Sequence, residues 1–254
     1  MKKNNYIAKT MFGLEKVLAD EIIELGGRVD KIQNRAVSFG ADLATLYRIN
    51  LASRLSLRIL NPILTFRAKN AESLYKLSQK YDWTKLFNYD DAFVVDSVVN
   101  SRYFKHSKYA ALKLKDAIVD QFRAKKGKRP NIRIDDPDFR FNLHIVDDLC
   151  TISLDASGES LHKRGYRLKS VKAPLNEVLA AGMITLSGWD KESNFVDPMC
   201  GSGTIILEAT MIALNIPPNI NRKKFGFEKW GNFDPILLKT VKNNLNSKRK
   251  PFNF

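Results

Sequence analysis

Late in the chain, Phe195-Val196-Asp197-Pro198-Met199-Cys200-Gly201-Ser202-Gly203-Thr204 runs into Ile205-Ile206-Leu207-Glu208-Ala209-Thr210-Met211-Ile212-Ala213-Leu214. The pattern predicts a short strand that turns through two glycines into an apolar helix. At such a turn glycine removes the Cβ that would hold a ligand off the backbone, and the first helical turn presents N–H groups without intrahelical acceptors. The segment therefore reads as a ligand-binding turn, suited to nucleotides or their relatives. The helix behind it is apolar on nearly every face, leaving only the neighbourhood of Glu208 and Thr210 for a solvated side. A helix of that kind has to lie against a sheet.

The rest of the composition narrows the class. At 254 residues, 44% hydrophobic and 27% charged, the chain can build one large or two ordinary domains. No apolar stretch reaches membrane-spanning length, and Met1-Lys2-Lys3-Asn4-Asn5-Tyr6 lacks the apolar centre of a signal peptide, so a cytoplasmic location is expected. Cys150 and Cys200 stand in unrelated settings without CxxC or Cys/His spacing, which argues for two reduced thiols and against a zinc site. His106, His144 and His162 form no metal or triad set either. The charge is less ordinary. Lys and Arg total 42 against 27 Asp and Glu, a net charge of +15, the footprint of a protein that sits on phosphate backbones. A lysine-rich composition inherited from an AT-rich genome is the plain alternative, so the placement of the charge matters.

Residues 1 to about 60 predict a small α+β unit. Tyr6-Ile7-Ala8 is extended; Leu14, Val17, Leu18, Ile22 and Leu25 form a helical stripe closed by Gly26-Gly27; Val29, Ile32, Val37 and Phe39 suggest a hairpin. Asp42 is a suitable N-cap, and Leu55, Leu57 and Ile59 alternate as a strand. In a second unit, from about 61 to 160, Asn70 caps a helix and Phe93 to Val99 forms a strand. A long helix follows over about 108–126, with Ala111, Leu114, Ile118 and Phe122 inward, Gly127 at its end and Pro130 beyond.

The exposed face and exit of that helix carry Lys105, Lys108, Lys113, Lys115, Arg123, Lys125, Lys126, Lys128 and Arg129, interrupted only by Asp116 and Asp120. A charge run is ordinarily a solvated face, and the helix macrodipole accounts for some of the C-terminal cations. The scarcity of acids within the run favours nucleic-acid contact. Phe139, Phe141, Leu143 and Ile145 then alternate with Arg140, Asn142 and His144 before Asp147-Asp148 turns the chain back, a hairpin with Arg140 and His144 on its solvent face. The junction Leu161-His162-Lys163-Arg164-Gly165-Tyr166-Arg167 interleaves an aromatic ring with cations, a composition that can stack on a base and pair with phosphate.

Together these segments resemble a known family. Lys115-Asp116-Ala117-Ile118-Val119-Asp120, the 161–167 junction, Ala173-Pro174-Leu175-Asn176-Glu177 and Asp197 to Thr204 occur in the order found in THUMP-domain class I RNA methyltransferases. The chain resembles the bacterial type that methylates guanine N2 of 23S ribosomal RNA. The resemblance implies an α+β N-terminal part, a ferredoxin-like unit over 1–60 and a THUMP domain over 61–165. The beginning of an α/β Rossmann-like class I methyltransferase domain would follow over 166–254. It implies S-adenosylmethionine as cofactor, bound by Pro174, Asn176, Asp197, Pro198, Met199, Cys200, Gly201, Ser202, Gly203 and Thr204. Asp197 would hold the methionine ammonium, and Ser202 and Thr204 would cap the helix. RNA would meet Lys105, Lys108, Lys113, Arg123, Lys125, Lys126, Lys128 and Arg129 on the long helix, and Lys163, Arg164, Tyr166 and Arg167 at the junction.

Local chemistry agrees with that assignment of the turn. A P-loop needs a lysine after its last glycine, and a dinucleotide turn a third glycine where Ile206 stands. Pro174 suits a first helical turn, Leu175, Val178, Leu179 and Met183 make one stripe, and Gly188 a stop. Where the sequence departs from the family is the Asn-Pro-Pro-aromatic motif that directs an amine lone pair to the methyl group. Ile216-Pro217-Pro218-Asn219 has the prolines without the asparagine or the ring, so no catalytic residue is named. The later strands of the family's sheet are also missing, and a second polypeptide that completes it is one expectation. A non-catalytic RNA-binding adaptor, or an inactive fragment, is the alternative reading.

Overall fold

A computed structural model describes residues 4–166 and 174–251. In chain order the elements are β1 (Asn4–Lys9), α1 (Glu15–Glu24), β2 (Arg28–Gln33), β3 (Ala36–Ala41), α2 (Leu43–Ala52), β4 (Arg58–Arg67), α3 (Ala71–Ser78) and β5 (Ala92–Asn100). Then come α4 (Ser107–Lys126), β6 (Asn131–Ile132), β7 (Phe139–Val146), β8 (Leu149–Asp155), α5 (Glu177–Leu186), α6 (Thr204–Ala213) and α7 (Pro235–Asn246). Of the described residues, those within 1–59, 159–224 and 234–254 form one compact unit, and 60–158 with 225–233 form another. No helix among the described residues is long and apolar enough to cross a membrane.

In the first unit the strands lie in the order β2-β3-β1, antiparallel throughout. Alternation sets the faces: Tyr6, Ala8, Val37 and Phe39 point into the core, where Leu18, Ile22, Leu46 and Tyr47 are fully buried. Asp42 caps α2 as expected, its carboxylate accepting from the Thr45 N–H at 2.8 Å. The expected strand through Leu55 and Leu57 starts later, at Arg58. The backbone is diverted there by the Glu21 carboxylate, which accepts from the Ser53 hydroxyl at 2.6 Å, the Arg54 N–H at 2.7 Å and the Leu55 N–H at 3.2 Å. Those donors are turned inward and cannot join a ladder.

Three helices complete this unit, and each departs somewhere from the sequence pattern. Asn176, not Pro174, sets the start of α5, accepting from the Val178 and Leu179 N–H groups. Its inward face is Val178, Ala180, Ala181 and Ile184, while Met183 is 48% exposed, outside the stripe expected of it. The small residues explain the choice of face: a Cβ at Gly182 would come within 2.6 Å of Leu14, so α5 lies against the residue that opens α1. Helix α6 starts at Thr204, as the glycine turn predicts, but Phe195–Asp197 is not a strand. A strand exists only through a neighbour's backbone, and none of the described residues beyond Asp155 adopts one. Glu208, expected near solvent, is completely buried. Asp234 caps α7 and its own N–H donates to the Tyr47 hydroxyl at 3.0 Å.

In the second unit the order is β4-β8-β7-β5-β6. β7 lies between β8, antiparallel, and β5, parallel, with Phe93 opposite Phe139 and Val95 opposite Phe141. The β7–β8 hairpin turns at Asp147, whose φ of +50° is the left-handed conformation a tight hairpin demands. Helix α4 covers β5 and α3 with Ala110, Leu114, Ala117, Ile118 and Phe122, not Ala111, as its most buried residues. Beneath it Phe87, Phe93, Phe122, Phe139 and Phe141 make a cluster of rings, Phe87 standing 4.9 to 5.8 Å from the other four. Residues 225–233 add to this core through Phe225 and Phe227, held by the Phe227 N–H on the Ala156 carbonyl at 2.9 Å.

Candidate functional site

The glycine turn has the backbone its sequence calls for. Gly201 and Gly203 have φ of +52° and +75°, and a Cβ built on either would meet no atom within 4 Å. Space around the two glycines is thus open to a ligand. Asp197 accepts from the Met199 N–H at 3.2 Å, which curls the chain ahead of Pro198, and Met199 stands 90% exposed. Gly203 itself is the N-cap of α6, and no side chain caps the helix. The expected caps Ser202 and Thr204 bond to each other instead, hydroxyl to hydroxyl at 3.2 Å. Cys200 is an exposed thiol in the turn; Cys150 is buried, and burial pushes its thiol up to about 11.

Pro174 and Asn176 lie elsewhere in the same unit. With His162, Lys163, Arg164, Gly165, Leu175 and Glu177 they line a cavity of about 350 Å³ that the 197–204 turn does not reach. The structure therefore brings two of the expected cofactor residues beside the cationic junction and leaves the other eight on the turn. His162 is held by the Ser160 hydroxyl at 2.7 Å, and burial lowers its pKa.

The junction corrects the sequence reading most sharply at Arg164, expected to meet RNA. Its side chain has no exposed surface. The guanidinium donates to the carbonyls of Leu161 at 2.9 Å and Arg54 at 2.6 Å, and pairs with the Glu208 carboxylate at 3.4 Å. A cation so enclosed cannot reach a phosphate. The Tyr166 hydroxyl donates to the same Glu208 oxygen at 3.0 Å, and burial followed by that carboxylate raises the phenol. Lys163 is exposed and pairs with Glu159. Arg167 falls outside the described residues.

The basic face on α4 is real but partly neutralised. Lys105, Lys108, Arg123, Lys125, Lys126, Lys128 and Arg129 are exposed and Lys113 half-buried. Lys125 pairs with Asp82 at 2.9 Å and Arg123 with Asp120 at 3.2 Å. Asp82 precedes a short 3₁₀ turn far ahead of α4 in sequence, so counting acids inside the run could not find it. The tyrosines were missed as well. Lys113 lies 5.5 Å from the Tyr109 ring, Lys128 4.9 Å from Tyr89, and Lys69 and Arg102 5.8 and 5.9 Å from Tyr103. Tyr103 and Tyr109 are 40% and 52% exposed, so rings and cations share this surface. The signal was available, since both tyrosines fall among the lysines of residues 102–113. Among the described residues no His, Cys, Asp and Glu group could hold a metal.

The Lys125 pair can be tested by titration. Its hydrogen bond holds Asp82 down to about 2 from an ordinary 3.8. A depressed folded-state value stabilises the fold above the unfolded pKa, and that contribution is lost as pH falls through the folded one. We expect the Asp82 carboxyl resonance to titrate near 2 in the intact chain and to move up toward 3.8 in Lys125→Ala. An unmoved midpoint would assign the shift to Thr84, which also donates to Asp82.

Comparison with known proteins agrees with the order of these parts. Residues 5–60 match the RlmL ferredoxin-like domain, 68–155 the THUMP domain, and 164–253 the RMKL-like methyltransferase domain. The chain is 41% identical over 241 residues to slr0064 of Synechocystis sp., provisionally named an RNA methyltransferase, covering 93% of this chain and 63% of that protein. It is 39% identical over 231 residues to the ribosomal RNA large subunit methyltransferase K/L of Photobacterium profundum, covering 91% of this chain and 32% of that one. Among solved structures, SMU.472 complexed with SAH superposes with a TM-score of 0.83 at 32% identity, covering 98% of this chain and 66% of SMU.472. The chain thus spans about a third to two thirds of the length of these relatives. A ferredoxin-like domain, a THUMP domain and a methyltransferase domain thus follow one another along this chain.

Proposed function

We propose that the chain is the RNA-gripping and cofactor-binding part of an S-adenosylmethionine-dependent methyltransferase whose target is guanine N2 of large-subunit ribosomal RNA, acting in the cytoplasm. The domains would divide at 1–60, 61–165 and 166–254. One observation carries the reading: a turn with two open, left-handed glycines leads into a helix whose N-terminus no side chain caps. Backbone N–H groups in that setting suit a ligand that comes close to the main chain. Asp197 to Thr204 would line the cofactor, with the half-buried Asp197 carboxylate facing its ammonium, and Pro174 and Asn176 contributing from the start of α5. S-adenosylmethionine supplies an electrophilic methyl group on a sulfonium. The names of the K/L relatives support large-subunit ribosomal RNA as the target, and guanine N2 rests on the family resemblance of the sequence segments alone.

The RNA would lie across the α4 face. Lys105, Lys108, Lys126, Lys128 and Arg129 supply the phosphate contacts and have no acidic partner among the described residues. Tyr103 and Tyr109 offer rings for unstacked bases. Asn219, beside the two prolines, is completely buried, and no catalytic role is given to it.

Thiol labelling tests the cofactor turn directly, because the two cysteines are so unlike. Cys200 is exposed, while Cys150 is enclosed and its thiol raised to about 11, so in the folded chain a maleimide should modify Cys200 alone. Saturating S-adenosylmethionine should slow that labelling strongly. Labelling at an unchanged rate, with salt-sensitive RNA binding retained, would favour the non-catalytic adaptor reading.

A further inference from the structure

The apolar helix α6, which the glycine turn opens, contains a single charged residue, and that residue is its most enclosed. Glu208 is 0% exposed. Around its carboxylate stand Arg164 at 3.4 Å and the Tyr166 hydroxyl at 3.0 Å, with the Arg54 cation acting on it from further off. Arg54 in turn donates to the Met211 and Ile216 carbonyls at 3.0 and 2.8 Å, the exit of α6, and lies against Glu21. Two arginines thus hold one helix at its middle and its end. Both are tied to the 53–55 turn, Arg164 by its bond to the Arg54 carbonyl and Arg54 by its own backbone on Glu21.

The cost of enclosing these groups is considerable, since a buried ion pair is often no more stabilising than an apolar pair of the same volume. Stability alone therefore gives little reason for the arrangement. Direction does: a guanidinium fork accepts only a fixed set of acceptor positions. Helix α6 would otherwise present a nearly uniform apolar surface, free to rotate or slide on its neighbours. A unique orientation matters because Gly203 lies one residue before its first turn.

The geometry points to Arg164 and Glu208 as positioning residues, an internal clamp that fixes the rotation of α6 and with it the Gly201–Gly203 turn. This rests on the cofactor reading only for its consequence, not for the clamp itself. In this role each acts through the helix, Arg164 and Glu208 having no exposed side-chain surface to offer a ligand.

The test uses the whole chain and the double variant Arg164→Met/Glu208→Met, which removes both charges and keeps the volume. Thermal midpoint, amide hydrogen exchange over 207–213 and S-adenosylhomocysteine affinity by calorimetry are measured together. A clamp predicts a midpoint close to the parent's, α6 amides exchanging about tenfold faster while those of β1 and β3 are unchanged, and affinity weakened about tenfold. If the double variant fails to fold, Arg164→Lys serves instead, keeping the charge but losing the fork. Unchanged exchange in α6 overturns the clamp. Faster exchange with undiminished affinity overturns its role in seating the turn. If the parent chain itself binds no S-adenosylhomocysteine, the cofactor reading falls, and the exchange arm still decides the clamp.

Discussion

Gly226→Ala is expected to unfold the 225–233 segment from its unit and to lower stability by on the order of 4 kcal/mol, the range reached only by changes the structure cannot absorb. An added Cβ would lie 2.3 Å from the Asp155 carbonyl oxygen and 2.9 Å from the Gly158 N. Both are backbone atoms, so no rotamer change relieves the clash. Asp155 ends β8, and its carboxylate is fixed by the Ser157 and Gly158 N–H groups at 2.8 and 3.1 Å. Gly158, with φ of +74°, is itself held in a turn. What gives way is the contact that seats Phe225 and Phe227, which are 0% and 1% exposed. Gly231→Ala, in the same segment, meets nothing within 4 Å and should change stability by less than about 0.5 kcal/mol. Urea midpoints of the two variants make the comparison. Equal midpoints would mean the 155–158 backbone yields, and the seat for residues 225–233 is softer than its contacts imply.

What could be read in advance follows the range of the interaction. Caps are local, so Asp42 and Asn70 were found where they act, and Gly127 takes the left-handed conformation that ends α4. Hairpins are nearly local, and alternation placed Phe139, Phe141, Leu143 and Ile145 inward without error. The glycine turn was legible because its two left-handed positions admit few other residues. Distant pairs were not. Nothing in residues 161–167 says that Arg164 points inward, because its partner Glu208 is 44 positions away and sat on a helix read as meeting solvent there. Each charge looked like a surface residue because the other was out of view. Asp82 was hidden from the α4 cations in the same way. Phe195–Asp197 reads as a strand by residue type, yet strand structure belongs to a pair, and residue type does not supply the partner.

Trp83→Ala is the other large change, and it bears on how the basic face is carried. The indole is completely buried, 4.8 Å from Tyr81 and 5.4 Å from Phe141 by ring centroids. Removing so large a side chain from a packed core costs about 3–5 kcal/mol, through lost transfer energy and the cavity left behind. Its polar edges are also satisfied: Nε1–H donates to the Ser78 carbonyl at 2.9 Å, and the backbone N–H to the Gln121 side chain at 2.8 Å. Gln121 belongs to α4 and spends its amide on the Gln79 and Tyr81 carbonyls, both at 2.8 Å. The 79–83 segment is therefore stitched to the underside of the helix, with Lys125 reaching Asp82 on that same side, while Arg123 and Lys126 are exposed. Trp83→Phe keeps most of the packing and strands only the Ser78 carbonyl, a loss of about 1–3 kcal/mol. If the helix is held by the ring, denaturant midpoints should fall in the order parent, Phe, Ala, and RNA retention at low salt should fall with them. Gln121→Ala separates the two supports, since it leaves the ring and removes the stitches. Retention lost in Gln121→Ala but kept in Trp83→Phe would assign the orientation of the basic face to hydrogen bonds rather than to packing.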